Sequence, residues 1–66
     1  MTLTINGNRR TVEDGMTLAR LLEAEVATTR GSAAAVDGAV VPRTQWPAYE
    51  LRDGQTIEIL TAVQGG

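Results

Sequence analysis

The chain closes on TIEILTAVQGG, Thr56–Gly66. Ile57, Ile59 and Thr61 alternate with Glu58, Leu60 and Ala62, the period of two that marks a strand with one face toward a core. That strand runs straight into two glycines. Glycine loses more conformational freedom on ordering than any other residue, so Gly65-Gly66 suits neither the end of a strand nor the end of a helix. Two readings follow. One is a frayed terminus, as the ends of domains commonly are. The other is a terminal carboxylate that is itself a reacting group, around which another protein must close.

Working back along the chain, Asp53-Gly54 is a turn leading into this last strand. RTQWPAYEL, Arg43–Leu51, is irregular, with room for one short helical turn that Pro47 limits. Ala33–Val36 is a short apolar run whose small side chains suit helix or strand; Asp37-Gly38 followed by AVV, Ala39–Val41, favours a hairpin. Pro42 ends its second arm because it cannot donate to a ladder. Thr28–Ser32, with Gly31, reads as a loop. Leu18, Leu21, Leu22 and Val26 fall at i, i+3, i+4 and i+8, one face of a helix, with Thr17 as its N-cap. Glu23 is not at the capping-box position relative to Thr17. At the start, Leu3 and Ile5 alternate with Thr2, Thr4 and Asn6; Asn6-Gly7 is a strong hairpin signal. A second strand, roughly Arg9–Glu13 and anchored by Val12, returns beside the first, and Asp14-Gly15 turns the chain toward the helix.

The order is strand, strand, helix, then three strands. One Leu-rich helix stripe is buried most economically on one face of a mixed sheet. The N-terminal hairpin and the last strand can meet at the sheet centre, the last strand parallel to the first. This predicts an α+β fold, the ubiquitin-like β-grasp: about five strands in a mixed sheet with one main helix on one face. Residues 1–66 are expected to form a single such domain with a flexible Gly-Gly tail.

Composition narrows the function. With 66 residues there is little core to spare. There is no cysteine, hence no disulfide or thiolate metal site, and no histidine, the commonest general base and metal ligand. The net charge is −2, and the six basic residues are scattered arginines with no lysine. An acidic chain without a basic run is a poor ligand for nucleic acid or an anionic membrane. No stretch approaches the ~20 apolar residues of a membrane span, and the N-terminus has no signal-peptide core. These features predict a soluble, cytoplasmic protein.

Ser–His and Cys–His nucleophiles are excluded by composition, and Ser32, the single serine, has no base to activate it. The glycines match no phosphate loop. Glu13, Asp14, Glu23, Glu25, Asp37, Glu50, Asp53 and Glu58 lie mostly in turns or on polar faces, where solvation explains them. The expectation is therefore a protein that is not an enzyme and has no catalytic or metal site. The tail remains. A terminal carboxylate, with a pKa near ~3.5, is an anion at pH 7 and a competent nucleophile toward ATP. It becomes an acyl donor only once its oxygen is made a leaving group, as adenylation would do. Gly65 and Gly66 lack a Cβ, fit a narrow channel and leave the Gly66 carbonyl unhindered.

At this point VPRTQW, Val41–Trp46, and LRDGQTIEILTAVQGG, Leu51–Gly66, resemble the ThiS family of thiamin-pathway sulfur carriers. The likeness extends through INGNRRTVEDGMTLARLLE, Ile5–Glu23, and so covers nearly the whole chain. The molybdopterin-synthase small subunit, MoaD, has a similar fold and tail but tends to carry Phe and Pro before its glycines; this chain has neither there. The resemblance implies a carrier cycle. An E1-like adenylyltransferase of the ThiF kind uses ATP to adenylate Gly66. A sulfur donor enzyme supplies a persulfide whose sulfur displaces AMP and leaves a thiocarboxylate. A thiazole synthase of the ThiG kind then takes that sulfur. No cofactor is bound by the carrier itself. Gly65 and Gly66 carry over as the tail that the partners require.

The remaining features stay open. Trp46 reads as a packing residue at the core or its rim. Arg43 either contacts a partner or satisfies loop carbonyls. Leu60 points away from Ile57 and Ile59, toward the open side of the sheet; a single exposed Leu is ordinary, and beside a reacting tail it can also belong to a docking patch. Other functions compatible with the tail are a ubiquitin-like protein modifier and a carrier for another sulfur pathway, molybdopterin or cysteine synthesis. A non-covalent β-grasp module fits a terminal Gly-Gly poorly.

Overall fold

A computed structural model describes residues 1–26 and 30–61. The strands are β1, Thr2–Ile5; β2, Asn8–Thr11; β3, Ser32–Val36; β4, Ala39–Val41; and β5, Thr56–Thr61. The helix α1, Leu18–Glu25, follows β2, and a 3₁₀ segment, Arg43–Ala48, follows β4. The strands form one sheet in the order β2-β1-β5-β3-β4. β1 and β5 are parallel, Thr4 beside Thr56 and Ile5 beside Ile57. The pairs β1–β2, β3–β4 and β3–β5 are antiparallel. The last strand therefore occupies the centre, next to the first, in the mixed β-grasp arrangement expected from the sequence.

Period two decides which side chains go inward. Leu3, Ile5, Ala34, Val36, Val41, Ile57 and Ile59 are buried on one face of the sheet. Leu18, Leu21 and Leu22 of α1 pack on that face, joined by Trp46 and Leu51. Thr17 caps the helix as expected, its Oγ1 accepting the Arg20 N–H at 3.3 Å. Val26, placed on the helix stripe by sequence, is instead the C-cap, with extended φ −125 and ψ 148. Its N–H still donates to the Leu22 carbonyl at 2.9 Å, and its side chain rests half-buried against the core. A strand-like tie between Met16–Leu18 and Tyr49–Leu51 fixes where the helix begins: Leu18 N–H donates to Tyr49 and Leu51 N–H to Met16, both at 2.9 Å.

Two expected boundaries move. β2 spans Asn8–Thr11 rather than Arg9–Glu13. Hydrogen bonds continue one pair further, between Met1 and Val12 in both directions at 2.8 Å. The chain then turns, and the Glu13 carbonyl accepts from the Met16 N–H at 3.3 Å. Ser32, assigned to the preceding loop by sequence, opens β3, with Thr61 opposite it. Of that loop, Thr28 and Thr29 lie outside the described residues.

The two hairpin turns share one device. Asn6 and Asp37 both adopt positive φ, 49° and 50°, each followed by a glycine at φ 85°, the geometry that suits the right-handed strand twist of a two-residue hairpin. Asn and Asp tolerate this left-handed region because their short side chains can hydrogen-bond nearby backbone. Here both side chains reach the central strand. Asp37 Oδ1 accepts the Thr56 N–H at 2.9 Å. Asn6 Oδ1 accepts the Ile59 N–H at 2.8 Å, and Asn6 Nδ2 donates to the Ile59 carbonyl at 3.2 Å.

Candidate functional site

The site is organised by the end of β5. On its β3 side the strand is paired as far as Thr61, opposite Ser32. On its β1 side the ladder stops at Ile5–Ile57; the Asn6 main chain adds a bond to the Ile57 carbonyl at 2.9 Å, and its side chain covers both peptide groups of Ile59. Five residues, Ala62–Gly66, follow Thr61 in sequence. The predicted tail residues Gly65 and Gly66, and the expected flexibility of that tail, lie outside the described residues.

Leu60 is 71% exposed, on the sheet face away from α1, as its alternation with Ile59 predicts. Across the sheet it faces Ala33, and the neighbouring row on that face is Glu58, Ala35 and Val40. Val40 is 75% exposed. The two methyl side chains of Ala33 and Ala35 leave a shallow hollow of ≈ 70 Å³ between Val40 and Leu60, with Glu58 at its rim. Val40 escaped the sequence reading because AVV gives no sign of which valine faces out. The register Ala35–Val40 and Ala34–Val41 decides it, sending Val41 into the core.

Arg43 does not line that hollow. It sits at the start of the 3₁₀ segment, its guanidinium carbon 5.5 Å from the centre of the Trp46 ring, within cation–π range. Trp46 is buried, as expected of a packing residue, and its Nε1–H donates to the Val41 carbonyl at 2.8 Å. Several of the carboxylates have structural partners. Asp14 meets the Met1 ammonium at 3.3 Å, Asp53 Oδ1 accepts the Thr2 N–H at 2.7 Å, and Glu25 pairs with Arg10 at 2.7 Å. None of the described polar or charged residues is buried, and no group of three or more metal-ligating side chains is gathered among the described residues. A wider hollow beside Tyr49–Arg52 and Gln55 lies where β5 starts, at the opposite end of the strand from the tail.

No curated protein sequence matches the chain. A family model does: that of the ThiS family, over residues 3–66. Among solved structures, the crystal structure of the thiamine biosynthesis protein ThiS from Geobacter metallireducens superposes with a TM-score of 0.85 at 32% identity, covering 100% of both chains. The solution structure of a thiamine biosynthesis protein from the same organism gives 0.81 at 32% identity, covering 100% of this chain and 88% of that one. A family model that spans almost every residue, and a solved relative at 32% identity matched over the whole of both chains, place the chain in the ThiS family.

Proposed function

We propose that this chain is a sulfur carrier of thiamine biosynthesis, acting in the cytoplasm, and that the carboxylate of Gly66 carries the sulfur. The observation that bears most of the weight is the placement of β5. The strand is held on both flanks at the middle of the sheet and hands the chain over at Thr61, with five residues left in sequence. Five residues reach at most about 17 Å when extended. That suits an arm entering a partner's active site while the sheet stays outside.

The chemistry follows from the carboxylate. An oxygen of the Gly66 carboxylate attacks the α-phosphorus of ATP in an E1-like, ThiF-like enzyme, and pyrophosphate leaves. The terminal sulfur of a persulfide on a donor enzyme then attacks the acyl carbon, and AMP leaves. A thiol reduces the resulting S–S bond and frees a thiocarboxylate on Gly66. A ThiG-like thiazole synthase is the acceptor. Gly65 and Gly66 are the residues the partners require, because any Cβ would narrow their passage. Leu60, with Val40 and the alanine hollow, is the docking face next to the arm. Arg43, seated over Trp46, contributes a separate partner contact from the 3₁₀ segment.

The test uses ATP, a persulfide donor and the activating enzyme, read by intact mass. One terminal oxygen is expected to be replaced by sulfur. Deleting Gly66 withdraws the carboxylate by a residue, and Gly65→Val adds a β-branched side chain that restricts φ and ψ; both variants are expected to fold and to accept no sulfur. Normal thiolation of both would sink the proposal. Isopeptide-linked adducts on target lysines, without thiazole sulfur transfer, would favour the protein-modifier reading instead.

A further inference from the structure

β1 turns away at Asn6-Gly7 while β5 continues, so β5 outruns its parallel neighbour. In a parallel ladder each strand offers N–H and C=O groups to the flank of the next. At Ile59 the backbone of β1 is no longer there to do so. The carboxamide of Asn6 takes its place. A carboxamide carries the same pair of groups as a peptide unit, one acceptor and one donor in a plane, and both are used: Oδ1 to the Ile59 N–H at 2.8 Å, Nδ2 to the Ile59 carbonyl at 3.2 Å. With the Asn6 main-chain bond to Ile57, one residue makes three hydrogen bonds to the β1 flank of β5. Among the described residues, no strand lies beside Thr61 on that flank. The carboxamide is therefore the last tie on this side before the arm begins.

We propose that Asn6 is a positioning residue for sulfur loading: its carboxamide sets the point and direction in which β5 releases the terminal arm. This rests on the carrier reading above. Two hydrogen bonds on one flank, opposed to the β3 pairing on the other, stop the strand end from swinging in the plane of the sheet. Ile59 lies two residues before Thr61, where the strand ends, and misplacement of about 1 Å at a reacting group can cost ~100-fold in rate. The residue at this point must also accept φ 49° and be short enough to present its amide edge-on. Asn satisfies both demands; Asp satisfies the conformation and one of the two bonds; Gly satisfies the conformation alone.

That series is the experiment. Asn6→Gly keeps the turn and removes both bonds. Asn6→Asp keeps the acceptor for the Ile59 N–H and sets a carboxylate oxygen against the Ile59 carbonyl. Asp37→Gly is the control: a residue of the same turn type, bonded to the other end of β5 at Thr56. All are assayed at a temperature where each is fully folded by circular dichroism. Asn6→Gly and Asn6→Asp are expected to lower kcat for sulfur loading about tenfold or more with KM changed less than about twofold. Asp37→Gly is expected to load at the parental rate. Amide hydrogen exchange at Ile59 is expected to speed up about tenfold or more in Asn6→Gly and to stay unchanged in Asp37→Gly. Parental loading by Asn6→Gly, or equal slowing in Asp37→Gly, overturns the positioning role, the second because it shows a loss of general stability. If the parent itself accepts no sulfur, the carrier reading fails and the positioning role with it. Unchanged exchange at Ile59 in Asn6→Gly would overturn the clamp independently of any partner.

Discussion

Trp46 joins packing and polarity in one side chain. Its ring fills the space between the 3₁₀ segment and the sheet, and its indole N–H satisfies the Val41 carbonyl at the last residue of β4. β4 is three residues long and is followed by Pro42, which has no N–H to give. Trp46→Phe keeps an aromatic face for Arg43 but removes the indole's hydrogen bond to that carbonyl in a buried setting. A loss of about 1 kcal/mol is expected, the usual net worth of one hydrogen bond. Urea unfolding followed by far-UV circular dichroism measures it without relying on the lost indole; an unchanged midpoint would show that water reaches the Val41 carbonyl in place of the indole.

At the scale of elements, α1 is eight residues long, too short to hold itself in water. Burial of Leu18, Leu21 and Leu22 against the sheet supplies what helix propensity does not. Leu22→Ala is expected to cost ~2–5 kcal/mol as a large-to-small core change. A domain of this size has only about 5 kcal/mol or slightly more to lose, so the variant should be largely unfolded at room temperature by circular dichroism; an unchanged melting temperature would mean the helix face is wrong. The elements themselves were legible in the sequence because their signals are local. Period two marked Leu3–Ile5 and Ile57–Ile59, a 3.6 period marked Leu18–Leu22, and Asn6-Gly7 and Asp37-Gly38 marked the hairpins. Glu13 was misread into β2 because where a ladder stops depends on its partner strand. The Asn6 carboxamide was legible as turn chemistry but not as a clamp on Ile59, since 53 positions separate the two residues. Only the topology brings them together. Of the site, Leu60 could be placed from alternation, whereas Val40 needed the β3–β4 register.

For the whole molecule, the sheet has two unlike faces. One is closed by α1 and the 3₁₀ segment; the other presents Leu60, Val40 and the two alanines beside the root of the arm. Exposed large side chains contribute little to folding, so Leu60→Asp and Val40→Asp are expected to keep the parental melting temperature within a few degrees. Each should weaken binding of the activating enzyme about tenfold or more, as removal of an apolar anchor from an interface does. Titration calorimetry on the folded variants checks this, and parental affinity in both would remove the open face from the docking surface.

The position of β5 also governs which molecules can exist in folded form. The hairpins β1–β2 and β3–β4 are each local in sequence, yet in the sheet they do not touch; β5 alone joins them. An isolated two-stranded hairpin is marginal in water at best. A chain nicked or shortened within Thr56–Thr61 therefore keeps two fragments of sheet with nothing between them, and α1 loses the surface on which it packs. Unfolding and loss of the arm's root are one event. On the proposed carrier role, an activating enzyme that recognises the folded sheet would not engage copies cut within β5, because those copies no longer present that sheet.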